Sequence, residues 1–501
     1  MTAAYPMRPL LPPFTPSTYP FGPIQNSESR LLHFLFLMEG PLLAMSVLAT
    51  ATYYTAAPLA HGSGVGSEQF RSDVLQSKAS LVLASSSDMT RLGLHDRWLA
   101  DAGIDVLLID LTAYMRLMLR DMDGTALSDD RVFREPVVNN ANDTGVLLFT
   151  SGTSGTKKLV PLTIHSMVCG VAMVAKSWGL GPSMRCLNQM PLNHVGGLIR
   201  NLFAPVISGG SVICCSAFDA NLFWDCVEDY APTWYYASPS MHQCILEAGS
   251  EQPEAMTNSH IRLVCNAAGG LLPSLACQLR DTFHCTVLPS YGMTECMPIS
   301  TPPLNYRLDK PGTSGISVGP EFSILNGQDE RVDSGNIGHI VVRGSPVFGG
   351  YLKVSGVVDK SCFTANGWFD TGDMGYLDNE GYLFITGRSK EVINRGGELI
   401  SPFEVEEAIV SAANVPDSPT YRRISKASAF SAMHDVLQEV VGVCVVTPPG
   451  SKRASLRKIQ ASVKDRLSQV KIKARILLES QLADTSVLKI TKHAKDATNN
   501  Y

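Results

Sequence analysis

Short apolar runs alternate along most of the chain with longer stretches in which apolar residues recur every three or four positions. Runs of four to six apolar or β-branched residues predict buried strands, and they occupy residues 79–84, 105–109, 146–149, 211–215, 262–266 and 286–289. Helical periodicity lies between them, for example over Ala220–Tyr230 and Pro273–Phe283. Strands that alternate with helices predict parallel sheets with helices packed on both faces.

The pattern changes near residue 335, where the apolar runs become shorter. Segments 338–343, 350–352 and 376–385 indicate twisted antiparallel strands. After Gly387 the pattern predicts a compact α+β unit, which ends in a basic helix at residues 464–473 and a loop near Lys489.

The beginning of the chain follows neither pattern. Residues 1–30 contain seven prolines together with serine and threonine, a composition that is typical of a flexible arm. Residues 41–60 carry no charge and are as long as a membrane-spanning helix. Because this run is rich in Ala, Thr and Tyr rather than Leu and Ile, we expect a buried helix followed by a strand and no membrane span.

Composition limits the class of protein. The 501 residues correspond to roughly three units of about 150 residues, and a hydrophobic fraction of 45% is enough for buried cores. The net charge of −5 argues against a nucleic-acid partner. Twelve cysteines without a C-x-x-C pair indicate reduced thiols, and hence a cytoplasmic protein. A peroxisomal location stays open, although the C-terminal Asn-Asn-Tyr matches no targeting tripeptide.

The most informative segment joins the apolar run at residues 146–149 to a loop of hydroxyl groups, glycines and lysines. Glycine lets backbone N–H groups approach an anion, hydroxyl groups donate hydrogen bonds, and lysine supplies positive charge. The spacing differs from that of a Walker loop. We predict that nine residues bind a polyphosphate: Thr150, Ser151, Gly152, Thr153, Ser154, Gly155, Thr156, Lys157 and Lys158.

This loop resembles the signature of the adenylate-forming (AMP-binding) enzyme superfamily, which includes acyl-CoA synthetases, luciferases and the adenylation domains of peptide synthetases. Six further motifs follow in the order and at the spacing of that family, across about residues 41–492. The run at residues 393–402 most resembles the acyl-CoA synthetase (acid–thiol ligase) branch, including its oxalate- and medium-chain-type members.

The resemblance implies that ATP and Mg²⁺ bind at residues 290–295. Tyr291 would stack on adenine, between Ser290 and Gly292. Thr294 would bind the α-phosphate, and Glu295 would hold Mg²⁺. A carboxylate suits the last role because hard cations that bridge phosphate oxygens prefer oxygen ligands.

Two later motifs extend the implied nucleotide site. In the heptad at residues 367–373, Asp373 would accept hydrogen bonds from both ribose hydroxyls, a task that suits a carboxylate. Arg388 would contact ribose or phosphate. Lys390 would be the hinge about which a small domain turns between two half-reactions.

The last motif matches the family only in part. Lys489 would be the mobile catalytic lysine, whose charge offsets the negative charge that builds up in the transition state. Ala483, Asp484 and Leu488 stand where the family motif has Pro, Lys and Gly. The altered glycine position indicates a reshaped loop around Lys489.

The implied acid pocket combines several segments. His194 would flank the bound carboxylate, and Gly269 and Gly270 would leave room for a flat ligand beside the backbone. Residues 193–200 contain no acidic group that could hold an α-ammonium, which favours an aliphatic, aromatic or small dicarboxylic acid. The pocket residues are His194, Val195, Gly196, Ser238, Ala267, Ala268, Gly269 and Met293.

The resemblance also implies the architecture. It implies an α/β fold with a large N-terminal domain of two α/β subdomains plus a distorted β-barrel, and a smaller α+β C-terminal domain. We place the arm at residues 1–30, the AMP-binding domain at 31–387 and the mobile domain at 388–501. Family members usually carry more residues before the unit at 41–59, so we expect the large domain to be shortened at its start.

The implied reaction has two steps. The carboxylate of a small acid attacks the α-phosphate of ATP, and a thiol, that of coenzyme A, then attacks the acyl-AMP. Two alternatives stay open. One is an enzyme that loads a carrier-protein thiol in trans, and the other is a nucleotide-binding homologue with impaired catalysis, which the altered Lys489 motif would explain.

Overall fold

The computed structural model describes residues 33–37, 40–59, 67–90, 92–112, 116–127, 138–151, 157–266, 270–353, 355–389, 391–395, 398–434, 437–464, 466–467 and 476–480. The predicted arm at residues 1–30 and the predicted loop near Lys489 lie outside these ranges. All twelve cysteines lie inside them and are free thiols.

The α-helices within the described residues are short, and the longest has 14 residues. Proline occupies the first position of four of them, where its missing N–H would have no partner in the helix. A 3₁₀ turn at Ser86–Asp88 and a π-helix at Gly196–Phe203 add to the set. The α-helices are α1 Gly40–Ala51, α2 Ser67–Ser77, α3 Arg97–Asp101, α4 Ile164–Ser177, α5 Ala204–Ile207, α6 Ala220–Tyr230, α7 Pro239–Gly249, α8 Pro253–Thr257, α9 Pro273–Phe283, α10 Pro402–Ala413 and α11 Leu456–Val463.

The strands form five sheets. They are β1 His33–Leu37, β2 Thr55–Pro58, β3 Leu81–Ala84, β4 Asp105–Leu111, β5 Leu117–Arg120, β6 Thr144–Ser151, β7 Lys157–Thr163, β8 Arg185–Asn188, β9 Ser211–Cys214, β10 Trp234–Ala237, β11 Leu263–Asn266, β12 Thr286–Leu288, β13 Tyr291–Met293, β14 Cys296–Thr301, β15 Ile316–Ser317, β16 Glu321–Leu325, β17 Gly338–Arg343, β18 Tyr351–Leu352, β19 Val358–Asp359, β20 Phe369–Leu377, β21 Leu383–Arg388, β22 Ile393–Arg395, β23 Glu398–Ile400, β24 Lys426–His434, β25 Gln438–Val446 and β26 Ile476–Ser480.

The first sheet is mixed. Its order is β19-β18-β7-β6-β2-β1-β3-β4-β5. The five strands from β6 to β4 in that order run parallel, and antiparallel strands extend the sheet on both sides. β1 lies in the middle of the parallel part, although the sequence pattern did not predict it. The uncharged run at residues 41–60 forms α1 and β2, as predicted.

The second sheet is parallel throughout, in the order β12-β11-β10-β8-β9. Alternate residues of β10 show how both faces are buried. Trp234 and Tyr236 belong to a core shared with α4 and the π-helix. Tyr235 and Ala237 belong to a second core, under α6, α7 and α9. The predicted helix-covered parallel sheet is therefore confirmed.

The remaining sheets are largely antiparallel. The third has the order β13-β14-β15 and the fourth the order β16-β17-β20-β21. The fifth has the order β23-β22-β25-β24, with β26 parallel to β25. The antiparallel sheets begin with β13 at Tyr291, so the predicted change of pattern near residue 335 was placed too late in the chain. The distorted barrel stays a prediction.

Two predicted elements were wrong in detail. Segment 376–385 covers parts of two strands, because the Asp378 carboxylate accepts the Glu380 and Tyr382 N–H groups and so closes a turn between them. Of the predicted basic helix at 464–473, the described residues 464, 466 and 467 are not helical, and the rest lies outside the described residues. α11 ends at Val463, and the next described residues form a turn in which the Arg466 N–H bonds to the Val463 carbonyl.

The described helices include none with both the length and the apolar composition that a bilayer crossing requires. The uncharged run at residues 41–60, which we predicted to be a buried helix and a strand, contributes α1, a helix of 12 residues.

The core beneath α6 gives a test of stability. Trp224 is fully buried, stacks on Phe283 with ring centroids 5.6 Å apart, and donates its indole N–H to the Ile245 carbonyl at 2.9 Å. We expect Trp224→Ala to lower the free energy of unfolding by about 3–5 kcal/mol, because it leaves a cavity and an unpaired carbonyl. Urea unfolding measures the loss. Leu222→Ala, on the exposed side of the same helix, is the control, and an equal loss in both variants would contradict this packing.

Candidate functional site

The predicted polyphosphate loop connects two strands of the first sheet. β6 and β7 form an antiparallel hairpin in which Thr150 pairs with Lys158 and Ser151 pairs with Lys157. Residues 152–156 between them lie outside the described residues. Thr150 and Ser151 therefore end β6, and the two lysines begin β7.

The two lysines have different partners. Lys157 Nζ lies 2.5 Å from the carboxylate of Asp73 in α2, whose side chain is 1% exposed. The Gln69 side-chain amide donates a second hydrogen bond to this carboxylate. A buried carboxylate needs such partners because its charge is otherwise poorly solvated. Lys157 thus ties the hairpin to α2, and its phosphate contact stays a prediction.

Lys158 is linked to the predicted metal ligand through an aromatic ring. Its Nζ lies 4.4 Å from the ring centroid of Tyr351, a distance suited to a cation–π contact. The Tyr351 hydroxyl donates a 2.7 Å hydrogen bond to Glu295 Oε1. Glu295 is 5% exposed and lies with Thr294 in the turn between β13 and β14.

Glu295 would supply one carboxylate to a bound Mg²⁺, which is usually held by one or two carboxylates while substrate phosphates and water supply the other ligands. Among the described residues, no group of three or more His, Cys, Asp or Glu side chains is placed to hold a metal ion.

Three predicted nucleotide-binding residues meet at the buried carboxylate of Asp373. The Tyr291 hydroxyl donates to Oδ2 at 2.5 Å, and Arg388 Nε lies 2.8 Å from Oδ1. Asp373 and Arg388 are register partners in β20 and β21, so the sheet places their side chains on the same face. Residues far apart in the sequence are brought to one point.

Burial sets the protonation of this cluster. It raises the pKa of the Asp373 carboxyl, and the Arg388 guanidinium offsets only part of that increase. Burial raises the pKa of Tyr291 well above its usual value, and the Asp373 charge raises it further. The Tyr291 hydroxyl is therefore protonated at neutral pH and acts as the hydrogen-bond donor.

Arg200 is a residue of this site that sequence reasoning missed. It lies in the π-helix and is 1% exposed. Its Nη1 donates to Ser290 Oγ at 2.6 Å, and its Nη2 donates to the Tyr291 carbonyl at 3.2 Å. A signal was available, since Arg200 is the single Arg, Lys, Asp or Glu between residues 186 and 218.

The charge of Arg200 has aromatic rather than anionic neighbours. Its guanidinium carbon lies 5.1 Å from the ring of Trp178 and 4.9 Å from that of Tyr236. Among the described residues no carboxylate contacts it, and its Nε has no hydrogen-bond partner. Cation–π contacts stabilise the guanidinium only in part, because a fully buried charge loses its hydration.

The predicted acid pocket is described in part. His194 is exposed at the start of the π-helix, and Val195 beside it is 7% exposed. A Cβ built on Gly196 would lie 2.9 Å from the Tyr236 ring, so glycine is needed for this close packing. Ser238 caps α7 by accepting the Met241 N–H.

The other predicted pocket residues are divided between the described and undescribed parts of the chain. Met293 is half-buried at the end of β13. Ala267, Ala268 and Gly269 lie outside the described residues. Two further predicted residues, Lys390 and Lys489, also lie outside them.

Gly270, at the end of the predicted adenine turn, contacts the C-terminal part of the chain. A Cβ built on it would lie 2.7 Å from Phe403 Cζ in α10, closer than van der Waals contact. The Ser401 hydroxyl, which caps α10, also bonds to the Thr386 carbonyl in β21. α10 therefore begins beside the turn and beside the strand that carries Arg388.

Known proteins resemble this chain in sequence and in fold. A sequence profile described as "AMP-binding enzyme" matches residues 35–352. An oxalate–CoA ligase from Arabidopsis thaliana is 30% identical over 484 residues, which cover 94% of this chain and 90% of that protein. An oxalate–CoA ligase from Saccharomyces cerevisiae is 32% identical over 383 residues, which cover 76% of this chain and 67% of that protein.

A solved structure shares the fold. ATP-bound MatB from Rhodopseudomonas palustris superposes with a TM-score of 0.77 at 21% identity, over 92% of this chain and 88% of that chain. At this identity the likeness concerns the fold alone, and it confirms the predicted α/β class.

The raised pKa of Asp373 predicts a pH dependence of stability. A carboxyl group whose pKa is higher in the folded than in the unfolded chain favours folding at low pH, and this contribution is lost as pH rises through the folded-state pKa. We expect wild type to gain stability relative to Asp373→Asn between pH 7 and pH 4. Urea unfolding at several pH values measures the difference. A gain for the variant on acidification would show that the Arg388 ion pair outweighs burial.

Proposed function

The chain belongs to the AMP-binding enzyme family, and we propose that it is an ATP-dependent acid–thiol ligase of the acyl-CoA synthetase branch. In this proposal the enzyme joins a carboxylic acid to AMP, releases pyrophosphate and then transfers the acyl group to coenzyme A. Two relatives that cover more than two thirds of this chain are named as CoA ligases. We also propose a cytoplasmic location, which suits twelve free thiols.

The cluster of Tyr291, Asp373 and Arg388 is the observation that supports this function most directly. Asp373 accepts a hydroxyl donor at Oδ2, and ribose hydroxyls offer the same hydrogen-bonding chemistry. A ribose hydroxyl at Oδ2 would replace that of Tyr291 and free the tyrosine ring for stacking on adenine. Arg388, whose side chain is 46% exposed, can reach the ribose or the phosphate from the solvent side.

The groups that would neutralise the charge of the triphosphate are the two that contact Tyr351, namely Lys158 at its ring and the metal bound to Glu295 at its hydroxyl. The loop at 152–156 and the hydroxyls of Thr150 and Ser151 would supply hydrogen-bond donors, and Lys158 would supply the adjacent charge. Glu295 would hold Mg²⁺ against the phosphates, with Thr294 beside the α-phosphate. When bound, the metal would offset negative charge as pyrophosphate leaves.

The C-terminal residues would control the order of the two steps. We propose that Lys489 neutralises charge during formation of the acyl-AMP, and that Lys390 is the hinge for a rearrangement before thiol attack. His194 would flank the acid carboxylate at the start of the π-helix. These roles place the acid between the π-helix and the hairpin of β13 and β14.

The environment of Arg200 favours an acid with a second anionic group. Its guanidinium is buried and has no carboxylate partner among the described residues. It lies between the Tyr236 ring on one side and the Ser290 hydroxyl and Tyr291 carbonyl on the other. A second carboxylate on the substrate would supply the missing counter-ion, and the surrounding aromatic rings would strengthen the attraction by excluding water. Oxalate, the acid in the names of both relatives, belongs to this class.

Acid-dependent exchange of pyrophosphate into ATP tests the proposed activity. We expect exchange with a small dicarboxylic acid from a panel that also contains aliphatic and aromatic monocarboxylic acids, and formation of a thioester when coenzyme A is added. Exchange without a CoA thioester would instead support loading of a carrier protein in trans. Lack of exchange with every acid would support the impaired nucleotide-binding homologue.

Substitution of Arg200 tests the proposed acid class. We expect Arg200→Met to lower kcat/KM for malonate about 100-fold more than it lowers kcat/KM for propionate, the size expected for a lost charged hydrogen bond. Steady-state assays with malonate and with propionate measure kcat/KM for each acid. Arg200→Lys keeps the charge and should restore part of the preference. Equal losses of kcat/KM for both acids would mean that Arg200 only positions Ser290 and Tyr291.

A further inference from the structure

A second cluster of cationic side chains lines a cavity at the amino ends of strands in the second sheet. The candidate site lies at the carboxyl ends of the same strands. The cavity has a volume of about 250 Å³. Its lining includes Arg262, Arg280, His284, Thr286 and Arg307. None of the described residues that line it is acidic.

The position of the cavity separates it from the nucleotide site. Arg262 directly precedes β11, and Thr286 is the first residue of β12, so both mark the amino ends of parallel strands. The candidate site follows the carboxyl ends of the same strands, where Ser290 bonds to the Asn266 carbonyl. A strand of four residues spans about 13 Å. The two sites therefore lie at opposite edges of one sheet.

The positive charge in the cavity is only partly balanced. Arg280 pairs with Asp281 at 2.8 Å. Arg262 donates to uncharged groups, Ser183 Oγ and Met184 Sδ. The guanidinium of Arg307 forms no ion pair with a described residue. Of these three guanidinium groups, that of Arg280 alone forms an ion pair with a carboxylate of the described residues.

The end of α9 explains only part of the cluster. Cations are favoured at the carboxyl end of a helix, and Arg280 and His284 lie there. Arg262 and Arg307 belong to other segments, and Asp309 bonds to the Arg307 backbone N–H rather than to its guanidinium. Their convergence on one cavity is therefore independent of the helix.

We propose that this cavity is a second anion site, which binds a phosphate or pyrophosphate group. Guanidinium groups form paired hydrogen bonds with phosphoryl oxygens, and the Thr286 hydroxyl offers a further donor. The phosphoryl group could come from free pyrophosphate or from the nucleotide end of coenzyme A. The site does not depend on the proposed ligase activity, since its residues are separate from those that bind ATP in that proposal.

Calorimetric titration of the full chain with pyrophosphate tests the site. We expect wild type to bind one equivalent more than the variant Arg262→Gln/Arg307→Gln, or to bind it at least 10-fold more tightly. Any binding at the candidate nucleotide site is common to both proteins, so the difference isolates the cavity. Lys452→Gln/Arg457→Gln removes two exposed charges elsewhere and should bind as wild type does.

Two further measurements complete the test. Arg307→Gln alone serves if the double variant does not fold, because the Arg307 guanidinium forms no ion pair within the described part of the chain. Adenosine 3′,5′-bisphosphate should compete with pyrophosphate in wild type if coenzyme A is the source, and should not compete if free pyrophosphate is. Identical pyrophosphate titrations of wild type and both cavity variants would overturn the proposal, whether or not the chain forms an acyl-AMP.

Discussion

The burial of one carboxylate, that of Asp373, is the constraint around which the candidate site is arranged. A buried negative charge needs donors, and Tyr291 and Arg388 provide them from two different sheets. The same tyrosine is held at its backbone by Arg200, a buried positive charge. Tyr291 therefore lies between an anion at its hydroxyl and a cation at its carbonyl, and its orientation is fixed before any nucleotide binds.

Much of this site could be predicted because its residues lie in short motifs that directly follow regular strands. Six apolar runs became β3, β4, β6, β9, β11 and β12, with ends that differ by at most two residues, and α6 and α9 match their predicted bounds. The family motifs follow such strands or lie in hairpins. Tyr291, Asp373 and Arg388 could therefore be assigned to one ligand, although not to one another.

The rest depends on contacts between distant segments, which no local pattern encodes. In the sequence Arg200 is an isolated charge in an apolar run, and its role could not be predicted because its partners Ser290 and Tyr291 meet it only in the folded chain. The ion pair between Lys157 and Asp73 could not be predicted either, because it depends on where α2 packs against the β6–β7 hairpin. The central position of β1 has the same origin, because pairing partners decide where a weakly patterned segment becomes a strand.

Phe403 lies where a side chain at residue 270 would have to be placed. Any replacement of Gly270 therefore requires the ring of Phe403 to move or to be lost, although the two residues belong to different parts of the chain. The dependence runs in one direction, since glycine at 270 leaves room for any residue at 403 whereas a side chain at 270 does not leave room for this ring. A C-terminal segment that carries Phe403 could therefore be joined only to an N-terminal part with glycine at this position.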